Sequence, residues 1–99
     1  IASIGGVGCP NYAAAKAGLQ GLVKAAANEC IGRRVRINLL ELGYIDAGMG
    51  TRLGGLREKI ESSIPLKRFG TTNEVVDAVD FLSRAYMSGN TLTLAGGLE

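Results

Sequence analysis

IASIGGVGCPNYAAAKAGLQGLVKAAANECIGRRVRINLL, residues 1–40, changes its hydrophobic period twice, and those two changes set the fold. Ile1-Ala2-Ser3-Ile4 is short, apolar and β-branched at both ends, the pattern of a strand. Gly5, Gly6, Gly8 and Pro10 break it and form a loop. The alanine-rich stretch that follows also holds Leu, Lys and Gln, all good helix formers. Asn11 is expected to cap its first turn, and the helix should run to about Ile31, with Gly32 in the left-handed position past its end. Val35-Arg36-Ile37-Asn38-Leu39-Leu40 alternates and then turns wholly apolar, which suits a strand entering the interior of a parallel sheet. Strand, loop, helix, strand implies an α/β fold whose parallel strands are joined by right-handed crossovers.

Glu41 to Gly55 is glycine-rich and lacks a clean period, so it reads as a long loop at the carboxyl end of that strand, where open α/β sheets carry their ligands. Leu56 to Ile64 reads as a short polar helix ended by Pro65. Thr71 and Glu74 have capping-box spacing, and Val75, Val76, Val79, Phe81 and Leu82 supply an apolar face for a helix to about Arg84. Thr91-Leu92-Thr93-Leu94 alternates and closes the pattern as a strand before Ala95-Gly96-Gly97. Only about three strands result. Such a sheet exposes broad apolar faces and an open edge, which a small domain tolerates poorly. Ile1, at the start of an apparent strand, is not an initiator methionine, so the expectation is a piece of a longer chain.

Composition narrows the chemistry. The 99 residues are 46% hydrophobic and 20% charged, an ordinary globular balance. A net charge of +2, from 11 basic and 9 acidic residues, is too small to call for nucleic acid or a membrane surface as partner. No long apolar run or signal-peptide pattern opens the chain, and the expectation is a soluble cytoplasmic protein. Cys9 and Cys30 stand too far apart for a CxxC pair, and the chain holds no histidine. No metal site is therefore expected, and Ser-His-Asp or Cys-His catalysis is excluded for these residues. Acid/base chemistry must fall to Tyr, Lys, Asp or Glu.

Tyr12-Ala13-Ala14-Ala15-Lys16 answers that requirement. Four helical residues rise about 6 Å, so both polar ends lie on one face and can share a ligand. A phenol titrates near pH 10 in water, and a nearby cation favours its anion. Lys16 is placed to supply that cation, and the three alanines keep the surface between them low. Ser3, at the end of the preceding strand, would orient a carbonyl oxygen across the glycine loop. Together Ser3, Tyr12 and Lys16 form a proton-transfer constellation in which Tyr12 protonates a developing alkoxide as hydride arrives.

Each feature also has a plainer explanation. A YxxxK alone is commonly a half-packed tyrosine beside a solvated lysine, and a strand-end serine is commonly a turn former. Gly6-Val7-Gly8 fails as a dinucleotide loop, because Asn11 stands where the third glycine belongs. Arg33, Arg34 and Arg36 form a small basic cluster that would suit an acidic carrier protein or simply a solvated strand entrance. Ala13, Ala17, Gly18 and Ala25 to Ala27 keep the helix slim enough for close approach by another helix or by the sheet.

Several ordered motifs set the YxxxK apart. Asn11 to Leu19 resembles the active-site helix of the short-chain dehydrogenases/reductases, most closely the 3-oxoacyl-acyl-carrier-protein reductases. Val35 to Asn38 is similar to that family's next strand, and Leu42-Gly43-Tyr44-Ile45 to its Pro-Gly loop. Ile64 to Gly70 and Thr91 to Gly97 are similar to further family landmarks. The resemblance implies that residues 1–99 are the C-terminal part of one doubly wound, Rossmann-like domain whose dinucleotide-binding half lies upstream. It implies hydride transfer between NADP or NAD and a carbonyl or alcohol, with a 3-oxoacyl thioester or similar ketone as a small or carrier-bound substrate.

By the same resemblance, Tyr12 is the acid/base, Lys16 makes its hydroxyl more acidic and bonds the nicotinamide ribose, and Ser3 polarises the substrate carbonyl. Leu42, Gly43, Ile45 and Ala47 form the cofactor loop, with Gly43 and Ile45 under the nicotinamide. A helix-paired dimer or tetramer is implied as well. Three positions depart from the family pattern. The loop from Ser3 to Tyr12 is short, Leu42 replaces a proline, and Ala47 replaces a threonine hydroxyl worth on the order of 1 kcal/mol. These departures motivate an alternative, a reductase-like subunit with a structural or regulatory role.

Overall fold

Proline fixes its own φ near the helical value and lacks an N–H that a first turn cannot use. Pro10 accordingly opens α1, Pro10–Cys30, in a computed structural model that describes residues 10–47 and 54–98. Asn11 therefore sits inside the first turn and does not precede it as a cap. The strand expected at Ile1 to Ile4, the glycine loop and Ser3 lie outside the described residues.

The end of α1 also differs from the sequence expectation. Helical winding continues through a 3₁₀ turn at Ile31–Arg33, and the left-handed residue is Arg34, with φ 59°, not Gly32. The Arg34 N–H reaches the Ile31 carbonyl at 3.1 Å and the Val35 N–H reaches that of Cys30 at 3.4 Å. This bond pair belongs to a helix end that turns back around a left-handed residue. Gly32 lies two residues too early to close it.

The chain divides into two compact units. In the first, residues 10–40 with Ala85–Leu92, the buried side chains among those described are Val23 and Ala27, four apart on one stripe of α1. Residues 35–38, expected to begin a strand, are held mainly through side chains. The Arg36 guanidinium donates to the carbonyls of Ala85 at 2.8 Å and Met87 at 3.3 Å. The Ile37 N–H donates to Ser88 Oγ at 3.2 Å, while the Gly89 N–H donates to the Ile37 carbonyl at 2.7 Å. Asn38 Nδ2 donates to the Met87 carbonyl at 2.9 Å, and its Oδ1 accepts from the Asn90 N–H at 3.2 Å. Asn38 thus uses both ends of its amide to hold one turn. Asn38→Ala removes two bonds from a half-buried position and should cost about 1–3 kcal/mol. A lowered urea midpoint at unchanged slope is the expected result in the full-length protein.

Regular strand structure starts only at Leu39. β1, Leu39–Leu42, pairs with β4, Thr91–Leu94. The N–H groups of Leu39 and Gly43 reach the carbonyls of Asn90 and Leu94, each at 2.8 Å. Both partners advance by four residues together, so the strands run parallel. The segment expected to be loop from Glu41 onward therefore begins with the second half of β1. It also holds β2, Ile45–Asp46, which pairs in parallel with β3, Gly70–Thr71, matching Ile45 to Gly70 and Asp46 to Thr71.

The second unit takes residues 41–47 and 54–84 with Thr93–Leu98. α2, Leu56–Ser63, ends just before Pro65, as its sequence implies. Ile64, 1% exposed, is the most deeply buried side chain described, and Phe69 and Ala78 complete the buried set of this unit. Gly96 and Gly97, at φ 64° and 92°, lie so close to this segment that a Cβ on either would come within 2.9 Å of Ile64 or Pro65. Side-chain-free, left-handed residues are what such an approach requires.

The capping box at the start of α3, Thr72–Arg84, forms as its spacing requires. The Glu74 N–H donates to Thr71 Oγ1 at 3.1 Å, and the Thr71 N–H donates to Glu74 Oε1 at 2.9 Å. The expected apolar face is divided. Ala78 is buried and Val75 and Leu82 are half-buried, whereas Val76, Val79 and Phe81 are exposed. The described residues cover one stripe of the helix, spaced three and four apart, and leave the adjoining one open.

Arg68 grips the Glu74 carboxylate with two bonds, at 2.8 and 3.0 Å. That guanidinium first, then the Thr71 N–H, holds the Glu74 carboxyl down at about 2, well below its ordinary 4.5. A pKa lowered by folding gives stability that is whole above the unfolded value and is lost as pH falls through the folded one. Glu74→Gln should therefore melt below the wild type at pH 7. The gap should narrow as pH falls from about 4.5 toward about 2, and a constant gap in thermal melts over that range would contradict the pairing.

Candidate functional site

Tyr12 and Lys16 belong to the first two turns of α1, within the first unit. The helix brings them together. Lys16 Nζ lies over the Tyr12 ring, 5.4 Å from its centroid, a distance at which an ammonium is attracted by an aromatic face. The ring is 57% exposed, so the hydroxyl-bearing side chain is open to a ligand. Ala13 is half-buried while Ala14 and Ala15 are exposed. A phenol and a cation on a low surface can bind hydroxyl or carbonyl oxygens and pass a proton between them.

Leu42, Gly43, Ile45 and Ala47 belong to the second unit. Leu42 ends β1 and is exposed. Gly43 donates its N–H to the Leu94 carbonyl at 2.8 Å, and a Cβ at that position would stand 2.9 Å from the Ala95 Cα and 3.0 Å from its Cβ. The absent side chain is thus what lets the bend lie against Ala95. Tyr44 follows and stacks on Phe69, with centroids 5.6 Å apart and ring planes 25° apart. Its carbonyl accepts from the Gly70 N–H at 2.9 Å. Ile45 begins β2, and the exposed Ala47 turns its N–H back to the Ile45 carbonyl at 3.1 Å.

Arg57 and Glu61, which no sequence motif singles out, support this bend together with Phe69. Arg57, on α2, donates to Asp46 Oδ2 at 2.9 Å and to Glu61 Oε1 at 3.0 Å. Its guanidinium carbon lies 4.5 Å from the centroid of the Phe69 ring. Asp46 first, then Glu61, holds this guanidinium above its ordinary pKa, so it stays charged under all conditions of interest. The i to i+4 spacing of Arg57 and Glu61 was visible in the sequence. The link to Asp46 depends on the fold, and nothing local announces it.

Tyr44, Ile45, Leu66, Arg68, Leu94 and Ala95 contribute to the wall of a cavity of about 100 Å³ in this unit. Ligand sites for cofactor-sized molecules run to about 300–1,000 Å³, so this recess is not by itself a nucleotide pocket.

The family model described as enoyl-(acyl carrier protein) reductase matches residues 1–99. The chain belongs to the short-chain dehydrogenase/reductase family. It is 38% identical over 102 residues to the 3-oxoacyl-acyl-carrier-protein reductase FabG of Pseudomonas aeruginosa, covering 99% of this chain and 41% of the relative. It is 38% identical over 100 residues to nodulation protein G of Rhizobium meliloti, covering 97% and 41%. The chain thus spans about two fifths of the length of these curated family members. Among solved structures it is similar to 3-hydroxyacyl-CoA dehydrogenase type-2 from Mycobacterium avium, with TM-score 0.88 and 34% identity over 99% of this chain and 39% of that one. A putative 2-deoxy-D-gluconate 3-dehydrogenase from Agrobacterium tumefaciens, solved with bound NADP, matches at TM-score 0.78 and 34% identity over 94% and 40%. These likenesses place the chain in the family's α/β, Rossmann-like fold class.

Proposed function

We propose that residues 1–99 are the C-terminal portion of a single reductase domain, and that the full-length protein moves hydride between a nicotinamide cofactor and a carbonyl or alcohol. The observation that carries this reading is the exposed Tyr12 ring with the Lys16 ammonium 5.4 Å from its centroid. A 3-oxoacyl thioester or similar ketone is the substrate class, in keeping with the 3-oxoacyl-acyl-carrier-protein reductase relatives. NADP or NAD is the cofactor, and the Agrobacterium tumefaciens neighbour carries NADP.

The donor set suits such a cofactor. The phenol of Tyr12 and the ammonium of Lys16 offer bonds to ribose hydroxyls, and the peptide groups from Leu42 to Ala47, Gly43 and Ile45 above all, offer bonds to a carboxamide. The cofactor, when bound, supplies the hydride. Tyr12 gives its hydroxyl proton to the oxygen of the carbonyl being reduced, and the neighbouring ammonium stabilises the phenolate that remains. Ser3, outside the described residues, is assigned to hold that oxygen by a second hydrogen bond.

No helix among the described residues is long and apolar enough to cross a membrane. We place the enzyme in the cytoplasm as a homodimer or homotetramer, acting on small or carrier-bound substrates without nucleic acid. The test is direct: purify the full-length protein, titrate NADPH and NADH, and follow cofactor oxidation with a 3-oxoacyl thioester. Saturable binding with turnover is expected. A protein that binds neither cofactor and turns over no ketone would end this reading in favour of a structural or regulatory subunit.

A further inference from the structure

We propose that Arg57 is a positioning residue for the cofactor loop, fixing the bend from Gly43 to Ala47 through Asp46 and the Phe69–Tyr44 ring stack. The inference rests on the reading above that this bend meets the nicotinamide. Its own evidence is geometric. One guanidinium makes three different contacts within the second unit: Asp46 at 2.9 Å, Glu61 at 3.0 Å and the Phe69 ring at 4.5 Å. Two of the three lead to the bend. Asp46 is the residue after Ile45 and pairs with Thr71 in the β2–β3 ladder. Phe69 is buried and stacks on Tyr44, the residue after Gly43.

The β2–β3 ladder is only two residues long, too short to hold a loop firmly by backbone bonds alone. A planar fork that bonds a carboxylate at its edge and stacks on a ring with its face suits the task, because both contacts fix orientation as well as distance. Glu61, one turn along α2, bonds Nε and leaves the Nη2 edge aimed at Asp46. The side chains of Arg57, Glu61 and Asp46 are 29%, 30% and 45% exposed, so the ion pairs alone are worth little, and it is the added stack on the buried Phe69 ring that fixes the guanidinium plane. The loop's peptide groups are thereby presented in one arrangement before a ligand arrives, and preorganisation of this kind acts on affinity.

The expected signature is a split between binding and chemistry. In the full-length protein, Arg57→Met should weaken NADPH or NADH binding, read by quenching or enhancement of cofactor fluorescence, by about tenfold. The turnover number at saturating cofactor should change by less than about threefold, since no reacting atom is touched. Asp46→Asn should give a loss no larger than that of Arg57→Met, since the ring stack remains, and the double variant should bind no worse than Arg57→Met, because the Asp46 contact is already lost there. Arg57→Lys keeps the charge without the fork and should recover part of the affinity.

Unfolding midpoints separate a folded but weakly binding variant from a damaged one, and Asp46→Asn removes no buried group. Wild-type affinity in both single variants, or additive losses in the double variant, would overturn the inference while leaving the proposed function intact. A wild type that binds no cofactor would instead remove the reading on which it rests.

Discussion

Tyr12→Phe in the full-length protein is expected to lower kcat by about 10²–10⁴-fold, the usual worth of a positioned general acid. Phenylalanine keeps the ring and therefore the surface over which the Lys16 ammonium sits, 5.4 Å from the centroid. The only atom lost is the hydroxyl oxygen with its proton. The ring is more than half exposed at 57%, so the change opens no core cavity and stability should stay within about 0.5 kcal/mol. Cofactor affinity should fall by no more than about one hydrogen bond's worth, on the order of 1 kcal/mol.

A large drop in kcat beside a small change in binding is the mark of a group whose main interaction is made in the transition state. Lys16→Met provides the contrast. It removes the ammonium, so affinity and turnover should fall together. Steady-state kinetics on a ketone substrate with direct cofactor titration distinguish the two patterns. Turnover by Tyr12→Phe equal to wild type would remove Tyr12 from the reaction.

What was legible in the sequence follows from how local its causes are. The capping box at Thr71 and Glu74, the helix end before Pro65 and the closing strand at Thr91 to Leu94 each depend on residues within a few positions, and all three form as read. α1 was legible in extent but not at its ends. Pro10 takes the first helical position ahead of Asn11, and Arg34 takes the left-handed one expected at Gly32.

The strand after α1 was displaced for a reason no local pattern carries. The alternation of Val35 to Asn38 resembles a strand, but Arg36 and Asn38 bind the turn at Ala85 to Asn90 with side chains, and ladder structure begins at Leu39. Of the candidate site, the pairing of Tyr12 with Lys16 was legible because helix geometry alone brings i and i+4 together. Arg57 was not, because its approach to Asp46 is created by the second unit's packing.

Gly43→Ala is expected to have the largest effect of any single added carbon in the proposed cofactor loop, on both stability and binding. The new Cβ would stand 2.9 Å from the Ala95 Cα, 3.0 Å from the Ala95 Cβ and 3.4 Å from the Leu94 carbonyl oxygen. Two of these are backbone atoms, which cannot swing aside as a side-chain tip can. Relief must come from moving the bend away from Ala95, and that movement strains the 2.8 Å bond from the Gly43 N–H to Leu94 at the end of the β1–β4 ladder. Overpacking of this kind costs about 1–3 kcal/mol.

Gly70→Ala is the informative comparison. Its Cβ would come even closer to a neighbour, 2.8 Å, but that neighbour is the Ile45 Cδ1 methyl, with the Tyr44 carbonyl oxygen no nearer than 3.8 Å. A rotamer change at Ile45 relieves it, so Gly70→Ala should cost less than Gly43→Ala despite the shorter distance. Ala95→Gly in the Gly43→Ala background removes the 3.0 Å contact and leaves the 2.9 Å one, and should therefore restore only part of the lost stability. Urea unfolding of these three full-length variants orders them, and cofactor titration of Gly43→Ala should show weaker binding. If Gly70→Ala were the more damaging, the close approach of Gly43 to Ala95 would not be what holds the loop in place.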